Sequence, residues 1–182
     1  MSSSSALTPL LSKGVEYLQK KNFNEAKWFF EQVLTIDSTN SVALTNLGVI
    51  AAQQDQTKRS KTYFEQALEH NPQEMAAWQG LGLLYSDHNN FGEARSCFEN
   101  ALQINPKAFI AWDGLGLSYL GMQNYPQAIR AFKKAIDINP QFINAWNNLA
   151  ITYLKQGFYQ QAEQTLLKIL KEHPSHPQLA VS

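Results

Sequence analysis

The sequence predicts an all-α fold, an α-solenoid of antiparallel helix pairs, and three observations predict it. The first is a 34-residue period: blocks starting at Leu7, Ser41, Met75, Phe109 and Ile143 follow one another with no insertion. A fixed period of that length marks a stack of units that each contact only their neighbours. The second is that every block carries two stretches of apolar residues spaced three and four apart, the signature of two amphipathic helices. The third is the boundary between blocks, where Asn-Pro recurs at Asn71-Pro72, Asn105-Pro106 and Asn139-Pro140. A residue before proline is pushed out of helical geometry, so the second helices of these three blocks end there.

The first block, 7–40, should open its helix at Thr8-Pro9, an N-cap followed by a first-turn proline. It keeps Gly14, Tyr17, Ala26 and Phe30 but has Leu10 and Lys13 where later blocks have Trp and Leu, and Ser38 where they have Pro. The second block, 41–74, has Gly48, Phe64 and Pro72 but Ala51, Thr57 and Ser60 where the others mostly carry Tyr, an aromatic and Ala. Its helix pair is therefore expected to be the least well packed of the internal units. The third, 75–108, shows the pattern in full. Trp78, Leu81, Gly82 and Tyr85 form one apolar face, Asp87-His88-Asn89-Asn90 a polar turn, and Phe91, Ala94, Phe98 and Ala101 a second face. Two such helices joined by a short turn pack antiparallel. The fourth block, 109–142, repeats this with Trp112, Leu115, Gly116, Tyr119, Ala128, Phe132, Ala135 and Pro140. The fifth, 143–176, has Trp146, Leu149, Ala150, Tyr153, Ala162, Leu166, Ile169 and Pro174. Residues 1–6 and 177–182 read as tails.

Trp-x2-Leu-Gly-x2-Tyr followed by Ala, Phe, Ala and Pro at these offsets resembles the tetratricopeptide repeat, and the resemblance runs from Leu7 to His176. It implies a right-handed superhelix whose first helices line a concave surface, and a role in binding proteins rather than in catalysis. Some members of that family clamp a chaperone's C-terminal carboxylate with lysine, arginine and asparagine. Here Leu11 stands where the first lysine would be; Asn46 is present, but Ala76 and Gly80 replace the cations of the next repeat. Asn46 and Asn148 are similar to asparagines that bind an extended peptide backbone in other members, a ladder that Gly80 and Gly114 interrupt.

Composition narrows the function from the other side. Fifteen basic and fifteen acidic residues leave no net charge, which argues against nucleic acid or an anionic membrane as the main partner. No window approaches the run of roughly 18 apolar residues that spans a membrane, and Met1 to Ala6 lack the basic start and apolar run of a signal peptide. A cytoplasmic protein is expected, in keeping with Cys97 as the sole cysteine. Gly80-Leu81-Gly82 and Gly114-Leu115-Gly116 lie inside helices and so are not phosphate loops, which need a strand before them. Gly80 and Gly114 themselves either leave room for a ligand or are simply tolerated. His70, His88, His173 and His176 are scattered, so no metal site is expected. Cys97 reads as a packed thiol, and Lys58-Arg59 with Lys61 as a solvated turn or, alternatively, a small contact patch for an anionic group. No cofactor and no enzymatic activity are expected.

Function should then lie on the first helices. At about 100° per residue, positions 4, 7, 8 and 11 of a block pack on the second helix, and positions 2, 5, 9, 12 and 13 point away. Down the stack these give a largely aliphatic stripe with a polar edge. The candidate groove comprises Val42, Val49, Leu83, Ile110, Leu117, Leu120 and Ile151, with Thr45, Gln79, Asp113 and Asn147 as polar selectors. Its charges are Asp87, Asp113 and Lys155. The stripe has two readings: its position-9 aliphatics are partly buried between adjacent first helices, or the groove takes an apolar or amphipathic segment of a partner protein, making the chain an adaptor or assembly factor. A second surface follows from the last repeat. Ser175 to Ser182 is expected to be too short to cover it, leaving Leu166, Leu167, Ile169 and Leu170 partly exposed and able to form a homo-oligomer face. The alternative function is thus a self-assembling scaffold.

Overall fold

The computed structural model describes residues 3–172, which form ten α-helices and, among the described residues, no strand. They are α1 (Ser3–Gln19), α2 (Phe23–Ile36), α3 (Ser41–Gln53), α4 (Thr57–His70), α5 (Met75–Asp87), α6 (Phe91–Ile104), α7 (Phe109–Gly121), α8 (Tyr125–Ile138), α9 (Ile143–Lys155) and α10 (Tyr159–Glu172). Met1, Ser2 and everything from His173 onward, including Pro174, His176 and the segment 177–182, lie outside the described residues. The chain forms two compact units, Met1–Leu84 and Tyr85–Ser182. Helix α1 begins at Ser3 and not at Thr8, so Pro9 sits inside it. Proline's fixed φ is itself helical. So near the N-terminus, the conflict reduces to one missing N–H bond and some crowding of the preceding turn.

Each of the first four helix pairs is keyed by one phenylalanine, and the fifth has Leu166 in its place. Phe30 and Phe64 in the first unit, and Phe98 and Phe132 in the second, are essentially inaccessible to solvent. A Cβ on Gly14 would come within 2.7 Å of the Phe30 ring, one on Gly48 within 2.7 Å of Phe64, and one on Gly116 within 2.5 Å of Phe132. The small residue at position 8 is therefore the socket for the ring of its own repeat. The same rings explain two glycines that the repeat pattern leaves open. A Cβ on Gly80 would meet Phe64 of the preceding repeat at 2.4 Å, and one on Gly114 would meet Phe98 at 2.3 Å. These glycines leave room for a core side chain, not for a ligand.

The turns obey the same period. Lys21, Asp55, Asn89, Gln123 and Gly157, position 15 of each block, all have positive φ, between 57° and 81°. The following N–H reaches back to the carbonyl of position 11, as in Asn22 to Tyr17 (2.9 Å), Asn124 to Tyr119 (2.8 Å) and Phe158 to Tyr153 (2.8 Å). This left-handed cap satisfies carbonyls that the end of a helix would otherwise leave free. Between repeats, the side chains of Asn71, Asn105 and Asn139 accept from the backbone two residues on. The indole N–H groups of Trp78, Trp112 and Trp146 donate to the carbonyls of Pro72, Pro106 and Pro140 at 2.8–3.0 Å. The recurrent tryptophan thus both packs and ties down the turn before its helix.

The second repeat is better packed than its sequence suggests. Ala51 replaces a tyrosine at position 11, but Tyr63 fills position 23, where later repeats carry Cys97, Ala131 and Thr165. Tyr63 packs against the cluster of Phe30, Val33, Leu47 and Ile50. Large and small residues have changed sides of one contact, a volume-conserving exchange that cores tolerate. Ser60, fully buried, donates to the carbonyl of Gly48 at 2.9 Å and so leaves no orphaned hydroxyl.

Candidate first-helix binding faces

The face turned away from each second helix can be followed within each unit. In the first unit Val42 and Leu83 are among the exposed large apolar side chains, while Val49 and Gln79 are half-buried. Thr45 is only 4% exposed, and among the described residues its hydroxyl has no hydrogen-bond partner. In the second unit Ile110 and Ile151 are exposed, together with Leu154; Leu117, Leu120 and Asn147 are half-buried. Asp113 is 8% exposed.

Thr45 and Asp113 are thus not open selectors, and helical geometry gives the reason. Position 5 lies three residues before position 8, which is packed, and four before position 9, which is open, so it shares a face with both. Where the neighbouring side chains close over it, it is buried. Asp113 is held there by Asn148, whose Nδ2 donates to Oδ1 at 3.0 Å. Burial pushes its carboxyl up to about 6, and the Asn148 hydrogen bond opposes that rise.

One cleft of about 540 Å³ lies within the second unit. Leu117 and Leu120, both sequence-predicted, line it with Phe91 and Tyr125, and Asp87 and Lys155 supply one charge of each sign. Sequence reasoning missed Phe91, Tyr125, Gly121 and Gln123. The signal for the first two was present, since position 17 is aromatic in four of the five blocks: Phe23, Phe91, Tyr125 and Tyr159. Gly121 belongs to the cleft because a Cβ there would meet the Phe91 ring at 2.5 Å.

On α10, Leu167 and Leu170 are exposed and Leu166 is half-buried, but Ile169 is 1% exposed. Ile169 falls seven residues after the buried Ala162 and joins it in the core with Trp146, Leu149 and Tyr153. It belongs to the packed stripe, and the free face of α10 consists of Leu167 and Leu170, with Phe158 and Tyr159 exposed at the start of the helix. Cys97 is buried, and burial, with a smaller contribution from Glu93, pushes its thiol up to about 11. Such a thiol is a packing group. No described helix is long and apolar enough to cross a membrane.

A tetratricopeptide repeat family model matches residues 17–82 and 119–180, and a second model of the same description matches residues 80–141. The chain belongs to the tetratricopeptide repeat family. No curated protein sequence matches it. Among solved structures, Pseudomonas aeruginosa PilF is similar at 21% identity, over 97% of this chain and 81% of that one, with a TM-score of 0.87. MamA from Desulfovibrio magneticus RS-1, from its residue 41 to the end, is similar at 19% identity over 94% and 97% of the two chains, with a TM-score of 0.80. YrrB, described as a tetratricopeptide repeat protein with an unusual peptide-binding site, is similar at 19% identity over 99% and 96%, with a TM-score of 0.74. At these identities the likeness is one of fold. The repeats make this chain a protein–protein interaction module.

Proposed function

We propose that this tetratricopeptide repeat protein is an adaptor or assembly factor that holds an apolar or amphipathic segment of a partner protein on the open faces of its first helices. The observation that carries this reading is the placement of exposed aliphatic side chains. Val42 and Leu83 in the first unit, and Ile110, Ile151 and Leu154 in the second, stand at positions 2, 9 and 12, where packing within a repeat does not require them. Each of these side chains is a little under half exposed, so a partner's apolar segment would recover about 1 kcal/mol per residue. The half-buried Gln79 and Asn147 supply polar contacts beside this stripe. Apolar contact with a few flanking hydrogen-bonding groups is how amphipathic segments are recognised in grooves. YrrB, with its peptide-binding site, supports the reading by analogy of fold alone.

The test is Leu83→Glu combined with Ile151→Glu. Both residues are exposed, so helicity by circular dichroism should be unchanged while affinity for a partner purified from the native host falls at least tenfold. Unchanged affinity in a folded variant would remove these faces from the interaction.

A second reading rests on α10. Exposed Leu167 and Leu170 suit self-association, so light scattering at high concentration should show a dimer or larger species that Leu167→Lys with Leu170→Lys disperses. A monomer at all concentrations would reject it.

A further inference from the structure

The fourth repeat departs from the others on the opposite side of the helix pair, and the departure forms a site. Between α7 and α8 lies a cleft of about 420 Å³ with Trp112, Leu115, Tyr119 and Ala131 as its apolar lining and Arg130 and Lys134 beside them. In the first, second and fifth repeats the equivalent space is filled or covered. Position 23 carries Phe29 in the first repeat, stacked on Tyr17 at 5.5 Å, and Tyr63 in the second. In the fifth, the ammonium of Lys168 covers the Trp146 ring at 4.6 Å. The fourth repeat has Ala131, the smallest residue at that position, and among the described residues no cation lies over the Trp112 ring. The indole is fixed nonetheless by its bond to the Pro106 carbonyl.

The charges are as unusual as the space. Positions 22 and 26 read Trp28 and Gln32, Thr62 and Gln66, Ser96 and Asn100, Arg130 and Lys134, Gln164 and Lys168. The fourth repeat is therefore the one with two cations there. Like charges four residues apart on a helix cost about 0.2–0.5 kcal/mol, so the pair does nothing for the fold. Both side chains are exposed, and neither forms an ion pair among the described residues. Glu99 on α6 is engaged instead by Arg95, at 3.6 Å.

We infer that this cleft binds a carboxylate-bearing apolar segment of a partner protein: an aromatic or aliphatic side chain enters against Trp112 and Ala131, and an adjacent carboxylate meets Arg130 and Lys134. Charge complementarity commits the site to an acidic segment, in contrast to the nearly uncharged faces of the first helices. The inference stands independently of the function proposed for those faces.

The test is a titration of the ¹⁵N-labelled protein with 4-phenylbutyrate, with neutral 4-phenylbutyramide as control, followed by competition with the peptide acetyl-Leu-Phe-Glu-Glu-amide. Saturable shifts are expected at the Trp112 indole N–H and the Ala131 amide. The amide should bind at least fivefold more weakly than the acid. Arg130→Gln with Lys134→Gln should weaken the acid by a similar factor, and Ala131→Phe, which copies the first repeat's filling of the space, should abolish binding. The peptide should displace the acid. Equal binding of acid and amide, no loss in the double Gln variant, or shifts centred elsewhere would overturn the site; failure of the peptide to compete would overturn its assignment to a protein segment. Both Gln substitutions are on the surface, so the outcome does not depend on Ala131→Phe folding.

Discussion

Replacing Gly114 with alanine tests the most specific packing claim made for this chain. Glycine inside a helix ordinarily costs about 1 kcal/mol relative to alanine, so Gly114→Ala should stabilise the protein if the residue is merely tolerated. The structure predicts the opposite. The added Cβ would lie 2.3 Å from Cζ of Phe98, whereas ordinary contact begins near 3.4 Å. The ring is fully buried and has no free volume to retreat into. The extra methyl must instead push α6 and α7 apart by about 1 Å, an overpacking cost of roughly 1–3 kcal/mol. Subtracting the helix-propensity gain of about 1 kcal/mol leaves a net loss of up to about 2 kcal/mol. Urea denaturation followed by circular dichroism measures it. Gly92→Ala is the control, since nothing lies within 4 Å of a Cβ there. Adding Phe98→Leu to Gly114→Ala should recover part of the loss, a positive coupling in a double-mutant cycle. A Gly114→Ala protein more stable than the parent by about 1 kcal/mol, the full propensity gain, would refute the socket.

Other consequences are equally direct. Gly157 has φ of +81° and open space around its Cβ, so Gly157→Ala should cost about 1 kcal/mol from backbone strain alone, read as a lower midpoint in the same urea assay. Asp113 titrates near 6 when folded, above the usual carboxylate value of 3.8. Its protonated form therefore favours the folded state, and stability should fall as pH rises from about 4 through 6, by on the order of 2–3 kcal/mol. Asp113→Asn should flatten that pH dependence of Tm while retaining the bond from Asn148, and an unchanged profile would count against it. Amide hydrogen exchange in α3 and α4 should be as slow as in α7 and α8, because Tyr63 and Ser60 restore what Ala51 removes; markedly faster exchange there would show the compensation to be incomplete.

The repeat period makes the helices, their pairing and the packed stripe readable from the amino-acid sequence alone, since Gly, Ala and Phe recur wherever two helices meet. What it conceals are exchanges between positions. Ala51 reads as a defect until Tyr63 is seen across the same contact, and Gly80 and Gly114 read as free until the rings of Phe64 and Phe98 are placed against them. The two sit 16 residues downstream of their phenylalanines, in the next block, so one repeat read in isolation does not connect them. Position 5 misled for another reason. Helical angle places it near the open face, but the bulk of neighbouring side chains decides exposure, and Thr45 and Asp113 are covered where Gln79 and Asn147 are only half so. Position 9 is aliphatic in every block and so easy to read, but its exposure divides: Leu83 and Ile151 are exposed, while Val15, Val49 and Leu117 are half-buried.

The central claim is that the open faces of the first helices carry the partner. Photo-crosslinking in the native host tests it most directly, with p-benzoylphenylalanine placed singly at Leu83 and Ile151 on those faces and at Glu69 and Gln103, which are exposed on second helices. One protein adduct, shared by the Leu83 and Ile151 positions and lost on adding Ile110→Glu to the Ile151 variant, is the predicted result. The same adduct arising from Glu69 or Gln103 and absent from Leu83 and Ile151 would contradict it.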